Sequence, residues 1–440
     1  MKIDVLITDA LIVTCDSNHS IVENGVLGIT NGKLSLLAKA GEFNKQGLSI
    51  GKTISADGSL VMPGLINMHC HAADSLFRGL VENLPLEQWL QKVWVAEKNI
   101  LTPDTTYTGS LLGLIENLIG GVTTVMDMFW YPSETVKAAK CLGMRIATGG
   151  IFFDLPAIGD RKHADFIAEA KTFYEQFSDD DDVIAVSMPH GTYTVSPEHL
   201  KDAYSLSVKY DGLFCTHAAE TLFEQSDIRQ RYGNTVIQHL AENRLLGCRT
   251  TLAHCVHLDE KEISVLKQSN TNVVLNPMSN LKLGSGIAPI LELSNAGVNL
   301  TIGTDGAISG NDLDMWLAMR LVAGLPRGVS MQADALSAKQ VLHMSTLNAA
   351  LALNRYDDLG SIEIGKFADL IFIDIKNAHA TPMFDPITHL VFGTNRSDVT
   401  DVFVRGRQIM KDKQIQNIDV LSVYEKVHKM ADEIANTLKH

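Results

Sequence analysis

Two textures alternate along the chain. Residues 1 to 60 and the stretch beyond about 356 are short segments in which apolar and polar positions alternate, broken by Gly, Asn and Asp. At one end these read DVLITDALIVT, ENGVLGITNGKLSLLA and KTISADGSLVM; at the other, GSIEIGKFADLIFIDI and SDVTDVFVRGRQIMKDK. Period-2 alternation between turn residues predicts small antiparallel strands. Strand-rich ends around a long middle predict one small β-sandwich formed from both chain ends, residues 1–60 and 356–440. From about Val420 the spacing turns helical, with basic residues near its end.

The middle, residues 61–355, has a different rhythm. Eight short apolar runs recur: LVMPGLINMH, GVTTVMDM, MRIATGGIFF, VIAVSMPH, GLFCTHAAE, TTLAHCVH, TNVVLNPMS and NLTIGTDG. Longer segments with helical spacing lie between them, among them DTTYTGSLLGLIENLIGG, HADFIAEAKTFYEQF and KEISVLKQS. Continuous apolar strands alternating with helices point to parallel βα units buried on both faces. Eight units in this length predict an α/β fold, a (β/α)8 TIM barrel, and not an open sheet.

The residues capable of chemistry fall at the C-terminal ends of those runs. His69 and His71 end the first, His190 the fourth, His217 and Glu220 the fifth. His254 and His257 end the sixth, Asn276 the seventh and Asp305 the eighth. In a barrel these ends form one face, where catalytic residues gather. Residues i and i+2 of a strand point the same way. Both imidazoles of HCH therefore face the barrel axis, and Cys70 points into the helix layer as a packing residue. Three neutral imidazoles and a carboxylate, from His69, His71, His217 and Asp305, suit one divalent metal ion, Zn2+ before Fe2+ or Mn2+. Such an ion lowers the pKa of a bound water from about 15.7 toward about 7. A His pair at one strand end is also compatible with a polar rim; the matching strand-end positions of His217, His254 and Asp305 favour the metal.

Composition narrows the class. Of 440 residues, 45% are hydrophobic and 20% charged, which supports a sizeable core and argues against disorder. The formal net charge of -14 repels nucleic acid and anionic membranes, so neither is expected as a partner. No apolar run reaches the ~18 residues of a membrane span, and the N-terminus lacks the layout of a signal peptide. The six cysteines form no CxxC pair and mostly sit in apolar runs, which suits reduced thiols in a cytoplasmic protein.

The run PGLINMHCHAADSLFRGLVENLPLEQWL resembles the first-strand signature of the amidohydrolase superfamily. THAAE, AHCVH, NPMSNLKLGSGIAP, GTDGAISGNDLDMW and GKFADLIFID are similar to its triazine-hydrolase and S-adenosylhomocysteine/methylthioadenosine-deaminating branch. The resemblance covers nearly the whole chain. It implies that His69 and His71, His217 and Asp305 are the ligands of strands one, five and eight. It also implies that His254 hydrogen-bonds the substrate or the hydroxide without joining the metal. Superfamily members with two metals usually carry a bridging acid, often a carboxylated Lys ending strand four; here that strand ends MPHGTY, which favours one ion. The resemblance further implies a small heterocyclic substrate and a homo-oligomer.

Hydrolytic deamination needs water activated and a ring nitrogen and amine protonated. Asp305 can take the water proton, Glu220 can shuttle protons to the heterocycle, and His254 can stabilise the developing charge. Glu220 would equally suit the N-terminal dipole of a following helix, and His257 a structural role. By resemblance Trp89 and Glu97 match nucleoside-contacting positions and His190 a substrate-contacting histidine. An amphipathic helix with Trp in its packing face, and strand-end packing for His190, remain open alternatives. Asn276, Ser279 and Asn280 are expected to fix the loop over the pocket by bonding backbone, with Gly284 and Gly286 at tight turns. No GKS/T or dinucleotide fingerprint accompanies these glycines, which argues against phosphate binding. Relatives acting on S-adenosylhomocysteine tend to carry TRG after strand three; here ATGG places Gly149 where that Arg would stand, leaving room for a purine, pterin, pyrimidine or triazine bearing an amine. The expectation is an aminohydrolase. A triazine-type C–N or C–Cl hydrolase, a cyclic amidase, or a barrel without catalysis are the alternatives.

Overall fold

The computed structural model describes residues 2–156 and 161–438. Two sheets organise it. One is wholly parallel and comprises Leu65–His71, Val122–Asp127, Arg145–Thr148, Val183–Pro189, Leu213–Ala218, Thr250–His254, Asn272–Leu275 and Leu300–Ile302 in adjacent order, closed by Asp305–Gly306. Leu300–Ile302 bonds the seventh strand, and Asp305–Gly306 bonds Leu65–His71, so the eighth strand hands over from one neighbour to the other. The handover crosses Gly303, where a Cβ would lie 2.7 Å from Asn276 Oδ1 and 2.8 Å from His69 Cβ. Helices follow the strands. Their starts are fixed by side-chain caps that satisfy the free first-turn amides, such as Thr102 before Pro103–Ile119 and Ser196 before Pro197–Lys209.

The barrel interior is apolar where chemistry is absent. Ile66, Met68, Met126, Met188, Val186, Cys215 and Val274 form one buried cluster drawn from strand after strand. Strict alternation along strand one would continue Ile66 and Met68 with Cys70. The pairing to strand two instead shifts register between Asn67 and Cys70, an irregularity of the bulge type that re-aims side chains. Cys70 then joins the outer cluster beneath the helices, 4.0 Å from Asn117 Nδ2, while His69 and His71 turn inward. Asn67 bonds Asn117, Thr304 and the Thr304 amide, locking strand one to strand eight.

Two predicted runs divide. LVMPGLINMH is two strands: Ser59–Pro63 belongs to the sheet of the chain ends and Leu65–His71 to the barrel. Gly64 makes the corner, with its Cβ position 2.2 Å from Thr123 Cγ2. MRIATGGIFF likewise splits into Arg145–Thr148 and Ile151–Phe152, both bonded to strand four.

The second sheet joins both ends of the chain in one nine-stranded network. Its long first strand, Lys2–Val13, bonds Ser49–Ser55 along its first half and Ser59–Pro63 near its end. The fork lies at Asp9, whose φ is 63°, where the pairing to Ile21–Thr30 also shifts register. Buried Arg145 ties the two sheets by donating Nη1 to Asp369 Oδ2; Asp369 Oδ1 also accepts the Arg405 amide at 2.8 Å. The last helix, Val420–Asn436, packs on Pro103–Ile119. Among the described residues no helix is long and apolar enough to cross a membrane.

Candidate metal centre and active site

The barrel brings the predicted site residues to one cavity. His71, His217, His254, Asp305, Glu220, His190, Trp89 and Glu97 all line it, and His69 lies directly behind. Nε2 of His69 and His217 face each other at 3.0 Å. Asp305 Oδ1 stands 3.0 Å from His71 Nε2 and 3.5 Å from His69 Nε2. The positions are held against backbone preference: Asp305 has φ 64° and His254 φ 78°, conformations uncommon for residues with a side chain.

The hydrogen bonds of the donor set call for a positive charge at its centre. His71 Nδ1 donates to the Met128 carbonyl at 2.6 Å. In the neutral ring Nε2 is then a lone pair aimed at the Asp305 carboxylate, acceptor against acceptor, so a positive charge, a proton or a metal ion, must stand between them. Burial pushes the His71 imidazole down, but hydrogen bonding to Asp305 and that group's charge overcome it and lift the imidazole to about 10. Burial raises the Asp305 carboxyl, and bonds from His69 and His71 reverse this and hold it well below its ordinary range. His69, His71 and Asp305 form one group with metal-ligand spacing and His69, His217 and His254 another, joined at His69, and imidazole nitrogens with a carboxylate oxygen are a donor set that fits a divalent ion. Ser279 Oγ donates to the other oxygen of Asp305 at 2.5 Å and orients it.

Beside this cluster stand two groups shifted in opposite directions. Burial, then the charges of Asp305 and Glu224, raises the Glu220 carboxyl well above its usual range, which favours its protonated form. Ser285 Oγ lies 3.1 Å from Glu220 Oε1, and the Glu220 amide donates to Glu224 Oε2 at 2.9 Å. Burial, outweighing Asp305, lowers the His254 imidazole to about 3, so it is neutral. Asn280 Nδ2 donates to His254 Nδ1 at 2.8 Å, which leaves Nε2–H as a donor facing the cavity, 3.7 Å from Glu220 Oε2. His190 is likewise lowered to about 3 by burial and then the His71 charge. Its Nδ1 bonds Thr194 Oγ1 at 2.9 Å, and the Thr194 hydroxyl bonds the Gly191 carbonyl. His190 Nε2 is then an acceptor toward the cavity.

Trp89 and Glu97 lie on the buried face of the helix Leu86–Ile100 that roofs the cavity. Trp94, on the same helix, meets Phe153 and His190 edge-on. Glu97 Oε2 accepts Trp130 Nε1–H at 3.1 Å, and burial raises its carboxyl to about 7. Ser279 and Asn280 bond side chains of the site, Asp305 and His254, where bonds to backbone were expected. They sit on the short helix Pro277–Lys282, which turns both toward the barrel mouth. His257 Nε2 bonds the Ser285 carbonyl at 2.9 Å and supports the loop bearing Ser285. Gly284 and Gly286 there have φ 71° and 122°.

Residues 60–409 match the family model described as "Amidohydrolase family". The chain belongs to the amidohydrolase family. This amidohydrolase is 34% identical over 433 residues to 5-methylthioadenosine/S-adenosylhomocysteine deaminase from Syntrophobacter fumaroxidans, covering 98% of this chain and 99% of the relative. It is 36% identical to 5'-deoxyadenosine deaminase from Methanosarcina barkeri, covering 98% of each. A crystal structure of an adenosine deaminase from Xanthomonas campestris with bound zinc superposes with a TM-score of 0.96 at 30% identity, covering 99% of each chain.

Among the lining residues of the amidohydrolase cavity that the sequence left unremarked are Asp74, Trp130, Tyr193 and Ser309. Asp74 had a local signal, a lone acid three residues past HCH. The 3-10 turn Ala72–Phe77 folds it back toward Glu97, whose charge helps raise the Asp74 carboxyl.

Proposed function

We propose that this amidohydrolase releases ammonia from adenosine-type nucleosides, with His69, His71, His217 and Asp305 holding one divalent ion, zinc first. It is a hydrolase of carbon–nitrogen bonds, and its relatives over the full length are named as deaminases of adenosine derivatives. One observation carries the reading: a buried Glu220, its carboxyl raised by burial, shares a cavity with His71, His217, His254 and Asp305. A plain amidase needs no proton at a ring nitrogen; a deaminase of a cyclic amidine does.

The ion, when bound, supplies Lewis acidity and lowers the pKa of the water that attacks. The chain's own groups do the rest. Asp305 accepts the proton leaving the water as its oxygen bonds the amine-bearing ring carbon. Glu220 gives its proton to the adjacent ring nitrogen, whose C=N bond opens to receive the electron pair. His254 donates from Nε2 to the new oxygen and stabilises the tetrahedral centre. The proton on Asp305 then passes to the amine, the C–N bond breaks, and ammonia leaves as the carbonyl forms. The ring nitrogen retains the proton from Glu220, and the second proton of the attacking water returns to Glu220. In this reading Trp89 stacks on the flat heterocycle, His190 accepts a substrate hydrogen bond, and Glu97 bonds the polar groups of the nucleoside. Six cysteines without disulfide partners accord with a reducing, cytoplasmic setting.

The test is ammonia release by zinc-loaded enzyme across adenosine, 5'-deoxyadenosine, methylthioadenosine, guanine, pterin and aminotriazine, alongside the Glu220→Gln variant. Release confined to the adenosine set and lost in the variant supports the reading. Release confined to triazine or pterin overturns the substrate class.

A further inference from the structure

The cavity has a sharply one-sided charge. Among the described residues that line it, none is Lys or Arg. Away from the metal cluster its wall is apolar and aromatic: Leu86, Leu90, Val93, Phe129, Ile151 and Phe153. Into that wall is set one acid pair, Asp74 and Glu97. Asp74 Oδ1 is buried with no hydrogen-bond partner, and so is Trp89 Nε1. Both atoms are buried, so a ligand on this side meets chiefly the apolar surface around the pair. Position 149 adds no side chain: a Cβ on Gly149 would stand 2.1 Å from the Val186 carbonyl oxygen, so no basic group can be carried there without moving strand four.

We infer that this site selects nucleosides whose 5' substituent is short and neutral and rejects those carrying a carboxylate, with Asp74 as a specificity-determining residue. The inference rests on the deaminase reading above and separates substrates that the relatives' names place together. A thioether or methyl group matches the apolar wall. An amino-acid tail is a zwitterion: its ammonium can face one member of the acid pair, but its carboxylate loses its water, finds no Lys or Arg among the described lining residues and is repelled by the other acid. A buried charge without a partner is rejected far more strongly than a misfit of one methylene. Burial, then the charge of Glu97, raises Asp74 well above its ordinary range.

Two measurements separate selectivity from turnover. Calorimetry on the zinc-loaded Glu220→Gln variant gives the affinities of methylthioadenosine and S-adenosylhomocysteine without reaction. Wild-type kcat/KM gives their turnover. The expected result is at least 10-fold weaker binding and at least 10-fold lower kcat/KM for S-adenosylhomocysteine. Asp74→Asn should narrow the gap at least threefold, through KM, with zinc content unchanged. Equal binding of the two compounds, or failure of methylthioadenosine to bind, overturns the inference. A gap that Asp74→Asn leaves intact in folded, zinc-loaded protein overturns the role of Asp74. Selective binding with no ammonia from any adenosine derivative leaves the inference standing and removes the deaminase reading.

Discussion

Asn280 donates its side-chain amide to Nδ1 of His254 across 2.8 Å, and this bond decides which imidazole nitrogen presents a hydrogen to the cavity. Asn276 Nδ2 approaches the same nitrogen at 3.4 Å, too long to hold the ring alone. In Asn280→Leu the bond is gone and the other tautomer becomes accessible. We expect kcat to fall about 10- to 100-fold, the range for partners that orient a site imidazole. Bound zinc should stay at the wild-type level, measured by atomic absorption. Unchanged kcat would remove His254 Nε2–H from the mechanism.

Glu220→Gln keeps the shape and deletes the transferable proton. Loss of general acid–base action predicts a kcat about 10^2- to 10^4-fold lower, with metal content intact. The pH profile adds a direction. A carboxyl raised by burial gives up its proton only as pH climbs through its folded pKa. Wild-type activity should therefore fade on the alkaline side, and the residual activity of the variant should lack that limb.

Chelation should abolish activity and lower the melting temperature together. The cluster binds a cation in the folded state only, so its removal subtracts the linkage term, about 2.7 kcal/mol for a ligand at 100 times its dissociation constant. Zinc added back should restore both. His71→Ala should lose the metal-linked part of the melting shift on chelation. A chelator-sensitive His71→Ala protein would show that His71 is no ligand.

The joint between the two sheets is a stability prediction. Arg145 is fully buried and bonds Asp369, itself 7% exposed. Arg145→Met leaves that carboxylate buried without its cation, a loss of about 3–5 kcal/mol. Urea unfolding should show it as a lower midpoint, and the double variant Arg145→Met, Asp369→Leu should regain part of the loss.

Glu224 gives a pH signature of folding. Burial, partly offset by Thr192 Oγ1 donating at 2.6 Å, raises its carboxyl from 4.5 to about 7. A raised acid binds its proton more tightly folded than unfolded. Its contribution is therefore complete below about pH 4.5 and is lost as pH rises through about 7. Glu224→Gln should flatten the stability profile in that window, read by melting temperature from pH 4.5 to 8.

Strand-end chemistry was legible because it follows from local geometry. Apolar runs of strand length, separated by helical spacing, are set by backbone periodicity, and a closed parallel sheet places every C-terminal end on one face. That reasoning marks His69, His71, His217, His254 and Asp305 before any contact is known. Other features were not legible. The run before His69 splits at Gly64 between two sheets, because nothing local distinguishes a strand that ends from one that changes partner. Ser279 and Asn280 lie 26 residues from the Asp305 and His254 they orient. The chain could mark them as polar loop residues but not choose their partners. Asp74 follows His71 closely, yet its place beside Glu97 depends on a 3-10 turn folding back beneath a separate helix. By itself the sequence determined which residue types end each strand, because strand periodicity is local. Only the tertiary structure decided which nitrogen, oxygen and amide meet, because closing the barrel alone sets distances across dozens to hundreds of residues.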